Sequence, residues 1–410
     1  NLKEAQWQPG AIAPAAEKVC AAMYSDINPA GTVHLRFPSF YEALKAQAFR
    51  MANNGFMQHP EVEGMKVEDY DAFIKNPYDC ILEKLLPRLY KNLDMNHPAQ
   101  YGLSFAKALL IHGADVEEGG AVAGKLIEKY GYYPGNGQSD TFTEAPFDML
   151  ADQLRSFSGI IRDIRKMPDK VVAACEAIYP LALSKGVPKK INAYSRCRFP
   201  LHMATFMRET DFKKVWWPTF LQITHTLASK GVQISCIVED DWMRYLDYLE
   251  ELPANSQLTF EYGDPKKIKE KLGKRHIISG LYPVTLPKTG SKQQCIDKAK
   301  ELVDSLAPGG KYIFDFDKNI ISSNSFKMEN LAAVTEFVRT YAVYQHPGGD
   351  AGEKFRKEDY KEVPGRPLES KYLKTSEAYK EENPFISDYG IKKLRSYDQS
   401  VFDFVKVLLV

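Results

Sequence analysis

The chain has 410 residues, 44% hydrophobic and 26% charged, and its Lys+Arg 54 balance Asp+Glu 53 to a net charge of +1. At about 150 residues per domain this length allows two or three domains or one large α/β barrel, and the ordinary composition excludes a disordered or fibrous chain. The lack of a basic excess argues against nucleic acid as a partner; with no apolar run of roughly 18 residues and no signal-peptide core between Asn1 and Pro14, a cytoplasmic protein without a membrane partner is expected.

In chain order, residues 39–55 and 68–93 read as helices, which makes 1–95 a helical segment packed on the main fold. Candidate strands near 103–112 are ambiguous, and 146–184 reads as helix again. A short strand at 191–194 follows a Gly-Val-Pro-Lys-Lys turn. Residues 211–230 then carry Phe212, Val215, Trp216, Phe220, Ile223 and Leu227 at helical spacing, with Gly231 placed as a C-cap. Strand 232–238 follows, and the plan repeats: helix 241–252, strand 257–262, helix 264–273, strand 276–281, helix 291–306, strand 311–316 and helix 326–344. Strands alternating with helices over short links predict a parallel sheet, and four or five such units without a nucleotide fingerprint favour an α/β fold of the (β/α)8 TIM barrel type over 96–345. The tail 346–410 is rich in Lys, Glu, Tyr and Pro and reads as a C-terminal extension wrapped on the barrel rather than a second core.

Several chemistries have no support. The cysteines Cys20, Cys80, Cys175, Cys197, Cys236 and Cys295 form no CxxC pair, which excludes a zinc ribbon and favours buried free thiols. There is no HExxH, P-loop or GxGxxG, and the stretches from Tyr133 and from His346 look like turns.

In a barrel the chemistry sits at the C-terminal ends of the strands. Those ends carry Glu239-Asp240-Asp241-Trp242, Phe260-Glu261, Tyr282, and Asp315 with Asp317, an anionic mouth. For Asp240, Asp241 and Asp264 helix capping is the favoured explanation; capping does not account for Asp315 and Asp317. His202, after Phe199-Pro-Leu, is either a structural hydrogen-bonder or a pocket residue, and Tyr282 either a proton donor or an aromatic filling the mouth. The pair Trp216-Trp217 is read as packing.

Glu144-Ala-Pro-Phe-Asp-Met-Leu-Ala-Asp, Gly159-Ile-Ile-Arg-Asp-Ile-Arg-Lys-Met-Pro-Asp-Lys, Phe199-Pro-Leu-His202 and Trp216-Trp-Pro resemble the uroporphyrinogen decarboxylase superfamily. The run from Glu239 to Pro253, with Gly280-Leu-Tyr-Pro and Pro308-Gly-Gly-Lys-Tyr-Ile-Phe, resembles its corrinoid-dependent methyltransferase branch, over roughly residues 140–345. This resemblance implies a (β/α)8 barrel that moves a methyl group from a small methylated substrate to the Co(I) of a corrinoid protein, and it allows for a homodimer. The decarboxylases' arginine-bearing N-terminal motif is replaced here by Leu35-Arg-Phe-Pro-Ser-Phe-Tyr and Ala48-Phe-Arg-Met, which argues against that activity. The His-x-Cys zinc pattern of thiol-methylating members is also missing: Cys236 is preceded by Ile234-Ser235, and Lys318 stands near where the distant cysteine belongs.

The closer likeness is to the ether-cleaving methyltransferases of anaerobes, which act on methyl ethers in O-demethylation. Their zinc spacing, anchored on Glu239, lands on Thr224 and Phe260; shifted by one it gives His225, Asp240 and Glu261, a chemically feasible set. No conventional zinc site is expected, and Glu239 is the one position carried over as a metal ligand. Acid catalysis is then expected of Glu239, His202, Tyr282 and Asp315 at the strand ends, and substrate contact of Trp242, Phe260, Asp317 and Cys236. Two rivals remain: a decarboxylase or lyase using Arg155, Arg162, Arg196 and Arg198, whose simpler role is surface salt bridging, and a non-catalytic barrel that has lost its metal ligands.

Overall fold

Six strands of the computed structural model, which describes residues 7–8, 10–30, 37–52, 57–134, 139–320, 326–344, 349 and 351–409, pair in the order in which they occur along the chain. After a two-residue hairpin of β1 (Arg50–Met51) and β2 (Met57–Gln58) come β3 (Asp140–Phe142), β4 (Arg196–Pro200), β5 (Gln233–Val238), β6 (Gln257–Phe260), β7 (Ile277–Tyr282) and β8 (Tyr312–Phe316). Strands β3 to β8 are all parallel. Helices Trp217–Ser229, Leu246–Glu250, Pro265–Leu272 and Lys292–Leu306 fill the successive crossovers from β4 to β8. Sequential order with crossovers of one hand puts these helices on one face of the sheet. Among the described residues the sheet has six strands, not eight.

Side chains alternate across a strand, so each strand serves two environments. Cys197, Phe199, Ile234, Cys236, Val238, Leu258, Phe260, Ile278 and Tyr282 face the helices, and none is more than 1% exposed. The register places Arg196, Arg198, Gln233, Ser235, Gln257, Thr259, Ser279 and Asp315 on the other face. Arg196 Nη1 donates to Gln257 Oε1 at 2.8 Å across the intervening β5, which fixes both on that face. The face is concave. With helices on its other side only, a sequentially wound parallel sheet curls away from them like the wall of a partly closed barrel, which makes this face the inner one. Gly280 serves the same curvature: at φ +84° it lies so close to β6 that a Cβ would stand 2.3 Å from the Phe260 carbonyl oxygen.

The expected elements from residue 211 to 344 are present within a few residues of their bounds, with Gly231, Gly309 and Gly310 at positive φ in the turns. Upstream there are corrections. Residues 191–194 form a loop, tied by the Asn192 amide to Ser195 Oγ at 2.8 Å, and the strand begins at Arg196. Residues 103–112 lie inside the 33-residue helix Pro98–Tyr130. Among the described residues of 39–55 only Ser39–Ala43 is helical, followed by turns and the strand Arg50–Met51; 68–93 breaks at Asn76, after which Pro77, which needs no N–H partner, starts a helix that runs to Leu89. The span 146–184 breaks at Ser156, where φ is 70°, and again at Met167–Pro168. Leu35 and Arg36, and most of the turns after Tyr133 and His346, lie outside the described residues.

The tail does more than wrap. It crosses the helical layer through the Glu353 amide to Lys274 O at 2.9 Å, the Ala254 amide to Tyr360 Oη at 2.7 Å and Arg366 Nη1 to Ile74 O at 2.8 Å. Its last helix, Asp388–Val407, then enters the core of the N-terminal segment, with Phe402 on Tyr78 and Phe404 on Phe40 at 5.2 and 5.7 Å, and Tyr90 Oη donating to Leu408 O at 2.9 Å. The two termini thus share one apolar cluster with the sheet. A smaller cluster of Ala16, Cys20, Ala30, Leu126 and Tyr132 seats the first helix, Ile12–Ala22, on Pro98–Tyr130. Among the described residues no helix is long and apolar enough to cross a membrane.

Candidate functional site

Past the last residues of each strand the alternation continues into the loops. His202 and Glu239 fall on the parity of Arg198 and Ile237, and so do Glu144, Glu261 and Asp317 on theirs. Loop torsions relax this rule, but hydrogen bonds fix the outcome for the central pair. His202 Nδ1 and Glu239 Oε2 are 2.5 Å apart, joining adjacent strand ends. The His202 side chain is 37% exposed and its Nε2 has no partner among the described residues, so that nitrogen is available to a ligand at the mouth.

Both members are held from behind. Asp148, fully buried in the short helix Pro146–Asp148, accepts the His202 amide at 3.2 Å on one oxygen and Trp216 Nε1 at 2.6 Å on the other. Trp242 Nε1 donates to the Glu239 carbonyl at 2.9 Å. Asp240 takes a left-handed turn at φ 61°, and its amide donates to Glu261 Oε2 at 2.8 Å, so the chain leaves β5 at a fixed angle. Glu261 in turn pairs with Lys318 at 3.3 Å. Trp216, Trp242, Phe212 and Tyr245 pack beneath this frame with ring centroids 4.3–6.1 Å apart.

Electrostatics set the protonation of the pair. Burial disfavours a charged His202 ring, but the hydrogen bond and charge of Glu239, with Asp148 and Asp152 behind, outweigh it and raise the imidazole to about 9. Burial pushes the Asp148 carboxyl up to about 7. His202 is therefore an imidazolium through neutral pH, a proton donor facing an open mouth. Glu144 is buried 3.7 Å from Lys185 Nζ, where burial raises the acid and lowers the amine.

The remaining expected site residues separate by face. Asp315 lies on the concave face, open to water yet enclosed enough that burial raises its carboxyl, with Arg198 pulling the other way. Asp317 turns back to accept the Val284 amide at 2.8 Å and shapes a loop. Tyr282 faces the helices; its hydroxyl donates to Cys295 O at 3.1 Å, and burial holds it far above the ordinary phenol range, so it is no proton donor for the mouth. Phe260, Cys236 and Trp242 are fully buried in the core and cannot touch a substrate at the concave face. Asp264 caps Pro265–Leu272 as expected, whereas neither Asp240 nor Asp241 is the N-cap of the short 3₁₀ turn Met243–Tyr245, and Asp241 instead accepts the Met243 amide at 2.8 Å in the turn before it.

The four arginines also divide. Arg155 is buried against Asp163 at 2.6 Å rather than on the surface; Arg162 makes an exposed pair with Glu63 at 2.9 Å; Arg196 and Arg198 line the concave face. His225 cannot join Asp240 and Glu261: it sits toward the C-terminal end of Trp217–Ser229, which leads into the start of β5, with Nε2 3.2 Å from Glu251 O and its ring edge-on to Tyr360. Among the described residues no group of three or more His, Cys, Asp or Glu side chains is arranged to hold a metal ion. The donors at the mouth do not fit the zinc pattern, and no step below runs through zinc.

Asp148 went unnoticed in the sequence because Pro-Phe-Asp reads as a helix start; only its buried Trp216 partner marks it. A cavity of about 940 Å³ opens at the opposite end of the sheet, between Gln233, Ile277, Ile313 and residues 349–358 of the tail. Two of its cations are engaged locally, Lys311 Nζ with Asn255 Oδ1 at 2.8 Å and Lys230 with Glu362 at 2.8 Å, and among the described residues no histidine lines it. In comparison with known proteins, no family model and no curated protein matches the chain.

Proposed function

We propose that this chain is a cytoplasmic methyltransferase built on a (β/α)8-type barrel. It would take the methyl group of a small methyl ether, with a corrinoid on a partner protein as acceptor. The observation that carries the reading is the His202–Glu239 ion pair on neighbouring strand ends at the mouth of a sequentially wound parallel sheet. The mouth suits a large flat cofactor brought from outside. Among the described residues no helix layer covers the concave face, and the exposed rings of Phe157 and Phe206, edge to face at 5.3 Å, flank the His202 loop where a carrier would dock. When bound, a Co(I) corrinoid supplies the nucleophile for the methyl carbon.

The chain's own residues govern the other side of the reaction. As the carbon–oxygen bond breaks, its electron pair moves to oxygen, and His202 donates a proton from Nε2 to that oxygen. Glu239 keeps the ring charged and oriented through Nδ1, and Asp148 fixes the loop that carries His202. The test is anaerobic incubation with cob(I)alamin and aryl or alkyl methyl ethers, following loss of cob(I)alamin absorbance and release of the demethylated alcohol. Turnover that persists unchanged in His202→Gln would overturn the mechanism.

Arg196 and Arg198 on the concave face favour one second reading, decarboxylation, in which the electron pair left by departing CO2 takes the His202 proton at carbon. Evolution of CO2 without cob(I)alamin consumption would select it.

A further inference from the structure

We propose that the concave face of the sheet is a binding cleft for a small amphipathic carboxylate, with the anionic end anchored by Arg198 and the apolar body lying along the sheet toward His202. This deepens the reading above and rests on it for the identity of the reacting end. Arg198 is central on β4, in register with Phe142 of β3 and Ser235 of β5. Its guanidinium is exposed and has no hydrogen-bond or ion-pair partner among the described residues, whereas Arg196 on the same face is taken by Gln257. An unengaged guanidinium inside a concave wall is a ready fork for a carboxylate.

A second, independent feature points to a ligand. Ser279, in register with Thr259 and Ile313, is fully buried on this face, and its hydroxyl has no hydrogen-bond partner among the described residues. A buried hydroxyl without a partner costs free energy, and a polar ligand in the cleft would relieve it. The apolar part of the lining is equally specific. Phe142 and Ile313 are 37% and 41% exposed on the same face, at the two ends of the six-stranded row. They offer a body of rings or alkyl groups something to cover. From Arg198 to His202 is four residues, about 13 Å of strand, the span across which a ligand anchored on Arg198 must reach toward the imidazole. The Arg198 charge also acts on the Asp315 carboxyl of the same face, which makes the charge dependence of the site testable.

The experiment is calorimetric titration of the intact chain with benzoate, 4-methoxybenzoate and uncharged methoxybenzene. The two carboxylates are expected to bind and methoxybenzene to bind at least tenfold more weakly, by the order of magnitude of one charge-assisted contact. Arg198→Gln should remove that preference, and Asp315→Asn should tighten both carboxylates several-fold, a gain that a merely structural residue would not give. Circular dichroism of each variant establishes that it is folded. Equal affinity for charged and uncharged probes, no binding of either carboxylate, or carboxylate binding indifferent to Arg198→Gln would overturn the proposal. Arg198-dependent binding of benzoate and 4-methoxybenzoate without any methyl transfer would uphold the cleft and defeat the methyltransferase reading instead.

Discussion

The two faces of the sheet come from the same thirty or so residues and differ in almost everything else. On the helix side, alternate residues such as Phe199, Val238, Phe260 and Tyr282 are fully buried and the layer is closed. On the concave side their immediate neighbours are Arg198, Ser235, Thr259, Ser279 and Asp315, and the two largest charges remain open to water. The first face is what a core requires, and burial of each large side chain there contributes about 1.5–3 kcal/mol. The second face gains nothing for stability from polar groups it leaves half satisfied. Function is the physical reason for tolerating it.

The contrast breaks most sharply at the rim. His202→Gln is expected to lower turnover by about 10²–10⁴-fold, the usual worth of a positioned acid, while costing no more stability than the pairing with Glu239 contributes. One residue parity away, Phe260→Ala should do the reverse, costing about 3–5 kcal/mol of stability by opening a core cavity. Urea unfolding beside a turnover assay measures both; if His202→Gln unfolded the chain as badly as Phe260→Ala, the rim would be core after all.

The pH dependence sharpens the same division. His202 is raised from its ordinary 6.5 to about 9, so the stability its pairing contributes is fully present below pH 6.5 and is lost as pH rises through about 9. Turnover that needs the imidazolium should be flat across neutrality and fall on an alkaline limb near pH 9. Glu239→Gln removes the partner that holds the proton, so that limb should move down by one to two pH units with the maximal rate reduced. A limb that stays near 9 in the variant would assign it to another group.

How much of this was legible follows the same alternation. Apolar runs from residue 211 onward are long and periodic, and the βα units there were readable. β4 was not, because Arg196 and Arg198 on its concave face interrupt the apolar run that marks a buried strand, and the strand was placed five residues too early. β3 has three residues, too few for any period. The helix Asp388–Val407 shows no helical period because its buried apolar residues are Ile391 in the first turn and Phe402, Phe404 and Val405 in the last turns, with none between. At the strand ends the face decides: period two from Ile278 puts Tyr282 toward the helices, and the same count removes Cys236 and Phe260 from the mouth. His202, Glu239 and Asp315 carry the other parity.

The smallest expected effect probes the concave face where it is driest. Ser279→Ala removes a fully buried hydroxyl that makes no hydrogen bond to the described residues, and such a group is a desolvation cost of about 1–3 kcal/mol with no return in the empty fold. The variant should therefore be as stable as the parent or more stable by up to about 1 kcal/mol, where a serine embedded in a satisfied network would lose stability. Saturating benzoate reverses the order: a ligand that uses the hydroxyl stabilises the folded parent in proportion to the logarithm of its affinity, and it stabilises the alanine variant less. Melting both proteins with and without benzoate separates the cases. Equal ligand-induced shifts would mean that Ser279 faces nothing but protein, and the concave face would then begin lower on the sheet, at Arg198 and Ser235.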